Sequence, residues 1–276
     1  MREVLGAWAF FTIIDLAVQE VLRILLSSAV SARADLAVWA MEHALLLQAL
    51  IAAVGAAVAC LPYLGRIRWE TGFPDRPFTG IASNRTVLLI LSGLSGAVAA
   101  QIAVSLALGG TGVNAVFLQD SRPAWELPEG GIPSVWDLGT MCILYGVLTP
   151  VIEELFFRGL LFGKLRRSCG CTALRANLLT ALLFAIYHGS IPAGLYAFPV
   201  GLLLGRAAAQ TRSVWPPILL HGLINLVMLQ LSWRGALAHI TAPAWLALFL
   251  MLTILTLVLP HRGGEPPSDA QKRREN

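Results

Sequence analysis

The 276-residue chain is 57% apolar and only 13% charged, with a mean hydropathy of +0.71. Soluble globular domains average about 25% charged residues, so the composition excludes an ordinary soluble domain and points to an all-α polytopic membrane protein. The formal net charge of +4 does not imply nucleic-acid binding, because the basic residues fall where membrane topology signals belong.

A bilayer-spanning helix needs about 20 predominantly apolar residues. By that rule about eight transmembrane helices are expected, over 7–29, 37–61, 86–109, 134–163, 174–190, 193–209, 214–232 and 242–260. The first carries Asp15, Glu20 and Arg23. Glu20 and Arg23 are spaced to pair at i, i+3, and these acids and Glu42 read as polar groups packed between helices. The fourth is too long for one straight span. Pro150 lies within it, lacks the backbone N–H and crowds the preceding turn, so an irregularity is expected there. No Gly/Ser linker divides the chain, so residues 1–261 form one transmembrane domain. The tail 262–276 is polar, Pro-containing and expected to be disordered. It lacks a terminal Cys-a-a-X signal.

Eight spans put both termini on one side. The N-terminus and segments 62–85, 164–175, 206–213 and 261–276 together hold fifteen Lys and Arg residues, whereas the alternate loops hold three. The positive-inside rule assigns the richer set, and both termini, to the cytoplasm. Arginine far outnumbers lysine and no targeting signal stands out, which suggests a bacterial inner membrane. His43 and His239 sit near span ends with no partner motif.

Within the fourth span lies "TPVIEELFFRG", residues 149–159. An ionised side chain at bilayer depth costs ~2.5–3.5 kcal/mol on insertion scales, and such residues are functional candidates by default. Glu154 and Arg158 are i and i+4, in the favourable order for an ion pair. Glu153 diverges from Glu154 by about 100° around the helix, so it is free to face a cavity. The fifth span carries Phe184 and His188 at i, i+4, and the seventh carries His221 and Asn225 at the same spacing. Measured along each helix from its cytoplasmic end, Glu153, His188, His221 and Asn225 lie roughly 10–21 Å deep at 1.5 Å per residue. They share one slab of membrane, so a polar cavity inside the bundle is expected. A carboxylate with a histidine can deprotonate a water. A second histidine with an asparagine can donate to the oxyanion formed when that water attacks a carbonyl. The sequence offers no Gly-x-Ser-x-Gly elbow and no His-Glu-x-x-His zinc helix.

Glu153-Glu154-x-x-x-Arg158, Phe184-x-x-x-His188 and His221-x-x-x-Asn225, in this order on successive spans, resemble the CAAX protease and bacteriocin-processing (CPBP, or Abi) family, whose eukaryotic branch is the type II CAAX prenyl endopeptidase. The resemblance covers roughly 135–232. It implies an eight-helix, glutamate-dependent intramembrane endopeptidase acting on a membrane-associated protein or peptide, with no cofactor and no metal. By carry-over Glu153 and His188 activate the water, and His221 and Asn225 form the oxyanion hole. Glu154 and Arg158 are supporting partners, and Phe184 packs beside the histidine. Three alternatives remain open at this stage: a zinc-dependent version of the same protease, a non-enzymatic membrane chaperone or bacteriocin-immunity protein, and a proton-relay transporter. Prenylated C-termini, bacteriocin leaders and C-terminal sorting tails are all compatible substrates, and the oligomeric state is open.

Overall fold

The computed structural model describes residues 1–66, 84–108, 135–233 and 243–258. His239 and the tail 262–276, each singled out in the sequence, lie outside the described residues.

Among the described residues the chain is helical, with no strand. In chain order the helices are α1 (Arg2–Ala32), α2 (Ala34–Glu42), α3 (Ala44–Cys60) and α4 (Asn84–Ala107). A composite α5 then runs unbroken from Val135–Ile143 to Gly163–Arg167. It is followed by α6 (Ala173–Tyr187), α7 (Ile191–Thr211), α8 (Trp215–Trp233) and α9 (Pro243–Val258). Among the described residues four helical segments are long and apolar enough to cross a membrane: Leu46–Arg66, Val87–Ala107, Trp136–Arg167 and Ile191–Thr211. The apolar stretches Ala173–Tyr187, Trp215–Leu231 and Pro243–Ile254 are shorter. The expected count of about eight spans is therefore not confirmed; among the described residues four segments meet the length of a bilayer.

Two differences from the expected spans have visible local reasons. The segment 37–61 is not one helix, because His43 leaves helical geometry at φ −107°, ψ 21° between α2 and α3. Its imidazole Nδ1 lies 2.7 Å from Asp137 Oδ2 at the start of α5, a contact not legible in the sequence. The fifth span stops at Tyr187 rather than 190, because Gly189 turns to φ +79°, a backbone conformation natural to glycine. Its other end is set by Thr172, whose hydroxyl accepts the Arg175 amide as an N-cap.

α5 runs through the middle of the bundle and touches α1, α3, α6, α7 and α8. α6 pairs with α7, α1 with α3, and α4 packs against α7, α8 and α9. One buried cluster joins α1, α3, α5 and α6 through Phe11, Ala59, Phe156, Phe157 and Phe184, with Tyr63 just past α3. The Phe11 and Phe156 rings stack at 3.9 Å, and Phe157 meets Phe184 edge-on at 5.1 Å. A second cluster joins α4, α7 and α8 around Ile102, Val200, Leu204 and Ile224. At one end of the bundle Lys164 Nζ bonds Glu3 Oε2 at 2.7 Å, and the Met1 ammonium donates to Cys169 Sγ. The Lys164 hydrogen bond holds the Glu3 carboxyl below the usual range. These contacts put the N-terminus and the 164–175 loop on the same face, as the charge distribution requires.

Candidate active site

The irregularity expected at Pro150 takes the form of two wide, π-type stretches in α5, Leu144–Leu148 and Leu155–Phe162, on either side of the regular stretch Thr149–Glu154. Such bulges recur at functional sites. Here they bracket Glu153 and Glu154. The Thr149 amide bonds Leu144 O rather than Tyr145 O. The next amide in line belongs to Pro150 and has no hydrogen. The Tyr145 carbonyl instead accepts Asn225 Nδ2 from α8, at 2.9 Å. Close approach of the two helices depends on a second feature of α8: a Cβ at Gly222 would collide with the Gly146 carbonyl. Asn225 and its neighbour His221 are thereby set against the turn of α5 that carries the glutamates.

Glu154 and Arg158 form the ion pair expected from their spacing. Arg158 Nη1 donates to Glu154 Oε1 at 2.7 Å, with both side chains at 0% exposure. Arg158 Nη2 donates to the Gly201 carbonyl of α7 at 3.0 Å. The guanidinium also lies over the Phe184 ring, 4.6 Å from its centroid, which adds a cation–π contact. The structure adds a partner that the spacing did not reveal: His221 Nδ1 bonds the same Glu154 oxygen at 2.9 Å. Glu154 is thus the hub between Arg158 and His221. Since that carboxylate accepts from Arg158, the simplest pattern has His221 donating through Nδ1.

Glu153 points the other way. It is buried and lines a cavity of about 230 Å³ that is also lined by Phe184, His188, His221 and Asn225. All four residues carried over as catalytic, and Phe184, therefore meet at one cavity. His221 Nε2 lies 3.8 Å from Glu153 Oε2, too far for a direct hydrogen bond. His188 sits just past the end of α6, with Nδ1 2.8 Å from the Phe184 carbonyl. A carbonyl can only accept, so Nδ1 carries the hydrogen and Nε2 is the basic nitrogen of the neutral ring. The Phe184 ring contacts both histidines, at 4.6 Å from His188 and 5.8 Å from His221.

The rest of the cavity wall was not expected. Gln19 and Arg23 of α1 and Gln48 of α3 line it, with Tyr145 and Tyr196. Arg23 is 3.5 Å from Glu20, as the i, i+3 spacing suggested, and it donates to Gln19 Oε1 at 3.0 Å. Asp15 is buried one turn before Gln19 and joins α1 to α6 through Tyr187, in keeping with its reading as an interhelical polar group. Glu42 is exposed. Among the described residues no three His, Cys, Asp or Glu side chains are grouped so as to hold a metal ion.

Comparison with known proteins falls on this same region. Residues 135–227 match the family described as Type II CAAX prenyl endopeptidase Rce1-like. The protein named "Putative membrane peptidase YdiL" of Bacillus subtilis (strain 168) is 29% identical over 94 residues. That alignment covers 33% of this chain and 38% of the relative, well under two thirds of the relative's length. No solved structure matches the chain. The matched segment begins with α5, ends within α8 and contains all seven motif residues, while α1–α4 and α9 lie outside it. Over the third of the chain that builds the glutamate, histidine and asparagine side of the cavity, this protein is similar to the Rce1-like type II CAAX prenyl endopeptidases.

Proposed function

We propose that the chain is an intramembrane endopeptidase of the glutamate-dependent CPBP type, hydrolysing a peptide bond of a membrane-associated protein or peptide without a metal. One observation supports the reading above the rest. Of two adjacent buried carboxylates, Glu154 is held by Arg158 and His221, whereas Glu153 faces the cavity with both histidines and Asn225. An ion pair alone would need one glutamate, and the second is placed where a water and a peptide carbonyl could meet.

In this mechanism Glu153, assisted by His188 Nε2, takes a proton from a water whose oxygen bonds to the carbonyl carbon. The negative charge moves to the carbonyl oxygen. Asn225 offers it the Nδ2 hydrogen not used by Tyr145, and His221 faces it through Nε2, with Nδ1 anchored on Glu154. That role needs His221 protonated at Nε2 as well as at Nδ1, the ring charge being met by Glu154, while the water's proton is held between Glu153 and His188 Nε2. The tetrahedral intermediate then collapses, the C–N bond breaks, and the stored proton goes to the leaving amine. The chain would act as a multi-pass protein of the bacterial inner membrane with both termini in the cytoplasm, its partners being the bilayer and the substrate. The test is to incubate the purified protein with the membrane proteins of its source cell and map new chain termini by mass spectrometry. Termini that appear with the wild type and not with Glu153→Ala support the reading, and identical maps refute it.

A further inference from the structure

The proposed base His188 is the C-cap of α6, held by a single short turn in which its amide bonds the Ala185 carbonyl at 3.2 Å, and is followed by Gly189 at φ +79°. A helix end of this kind frays unless something holds it. Two side chains of α1 bond α6, one a full turn before its end and one at the end itself. Trp8 Nε1 donates to the Leu183 carbonyl at 3.1 Å. Seven residues along the same face, Asp15 Oδ2 accepts the Tyr187 hydroxyl at 2.7 Å. The other Asp15 oxygen accepts Gln19 Nε2 at 2.9 Å, and Gln19 lines the cavity.

The Asp15 carboxylate is 1% exposed, in a helix where an ionisable group is costly. α3 packs against it directly: a Cβ on Gly55 would collide with Asp15 Oδ1 and lie 2.8 Å from Gln19 Cγ. The Tyr187 ring is gripped by Phe11 and Phe157, each at 5.6 Å, and meets the His188 ring edge-on at 5.9 Å. Rotation of Tyr187 is therefore blocked on its ring by aromatic packing and at its hydroxyl by Asp15. Its neighbour His188 inherits that orientation.

We infer that Asp15 and Tyr187 are positioning residues for His188, so that α1, which lies outside the family match, completes the active site by locking the end of α6. The inference rests on the catalytic reading of His188, but its first readout does not need catalysis. The protein is labelled with ¹⁵N-histidine in detergent, and His188 is assigned by comparison with His188→Gln. Tyr187→Phe should shift or broaden the His188 ring signals and leave those of His221 in place. On the substrate found by terminus mapping, kcat should fall about tenfold with KM within about twofold, the scale of one lost hydrogen bond. Asp15→Asn keeps an oxygen for the hydroxyl and should retain most of the turnover. Trp8→Phe breaks the other α1–α6 bond, so it should lower Tm without moving the His188 signals. Gly55→Ala removes no polar group but displaces Asp15, and should reproduce the Tyr187→Phe spectrum even if Tyr187→Phe itself folds poorly. Unchanged His188 signals in Gly55→Ala or Tyr187→Phe overturn the inference, as does an equal disturbance from Trp8→Phe. A wild type that cleaves nothing counts against the protease reading, and the spectra still decide the positioning claim.

Discussion

Arg158 is where structure and chemistry can be separated by mutation. Its guanidinium has one bond to Glu154, one to the Gly201 carbonyl and a ring face beneath it, all out of contact with solvent. Removing one partner of a buried pair leaves the other charge uncompensated and costs ~3–5 kcal/mol. Arg158→Ala should therefore lower expression, thermal stability and activity together. Arg158→Lys keeps the charge but cannot reach Glu154 and Gly201 with a planar fork, so it should recover only part of each. The double variant Glu154→Gln with Arg158→Met removes both charges, and much of the stability should return. Activity should not return with it, because Glu154 also anchors His221 Nδ1. The assay is melting temperature in detergent alongside turnover. A double variant no more stable than Arg158→Ala would show that the pair does not act as one. A double variant with near-normal turnover would show that Glu154 does not orient His221.

Glu153→Ala and His188→Ala should each abolish cleavage while the protein still inserts and folds, which terminus mapping and melting curves would check together. Asn225→Ala should reduce turnover ~100–1000-fold, the usual cost of one oxyanion donor; a change confined to KM would move Asn225 to substrate recognition. Turnover should survive thorough chelation, and an enzyme that loses activity with chelator and regains it with zinc would overturn the metal-free mechanism. Pro150→Ala should leave the melting temperature unchanged or higher, since a helix-interior proline costs ~3 kcal/mol or more. Its turnover should nevertheless fall, because a new amide at position 150 competes with Asn225 for the Tyr145 carbonyl.

The part of the site that sequence reveals is the part written at short range. Glu154 with Arg158, and Phe184 with His188, are helical neighbours, and their contacts follow from a spacing of four. That all three motifs meet at one cavity also follows, because apolar span lengths fix their depths. The contacts that give these residues direction are different in kind. His221 to Glu154 crosses 67 positions, Asn225 to Tyr145 crosses 80, and Tyr187 to Asp15 crosses 172. No periodicity encodes such pairs. Asp15 and Gln19 lie in a span whose polar residues look like mere interruptions until α6 is seen beside it. The break at His43 was hidden because, Glu42 apart, the flanking residues are apolar on both sides, and its bond to Asp137 marks the position as distinct. Span ends blur for a related reason. Hydropathy runs through short turns such as Gly189, so it overstates where a helix such as α6 ends.

The adjacent glutamates also explain why the site belongs on a distorted helix. In a regular α-helix neighbours diverge by about 100°, enough to send one carboxylate to Arg158 and the other to the cavity. Both must still meet α8, because His221 touches Glu154 with one ring nitrogen and approaches Glu153 with the other. That requires α8 to lie close to α5 at this turn. Gly222 permits the approach, and the Tyr145 carbonyl released next to Pro150 secures it through Asn225. A proline that is costly for α5 alone is in this way what lets a second helix bind to it. The same residue that breaks the helical ladder thus sets His221 and Asn225 at the height of Glu153, and the cost in helix stability is offset in the packing between helices.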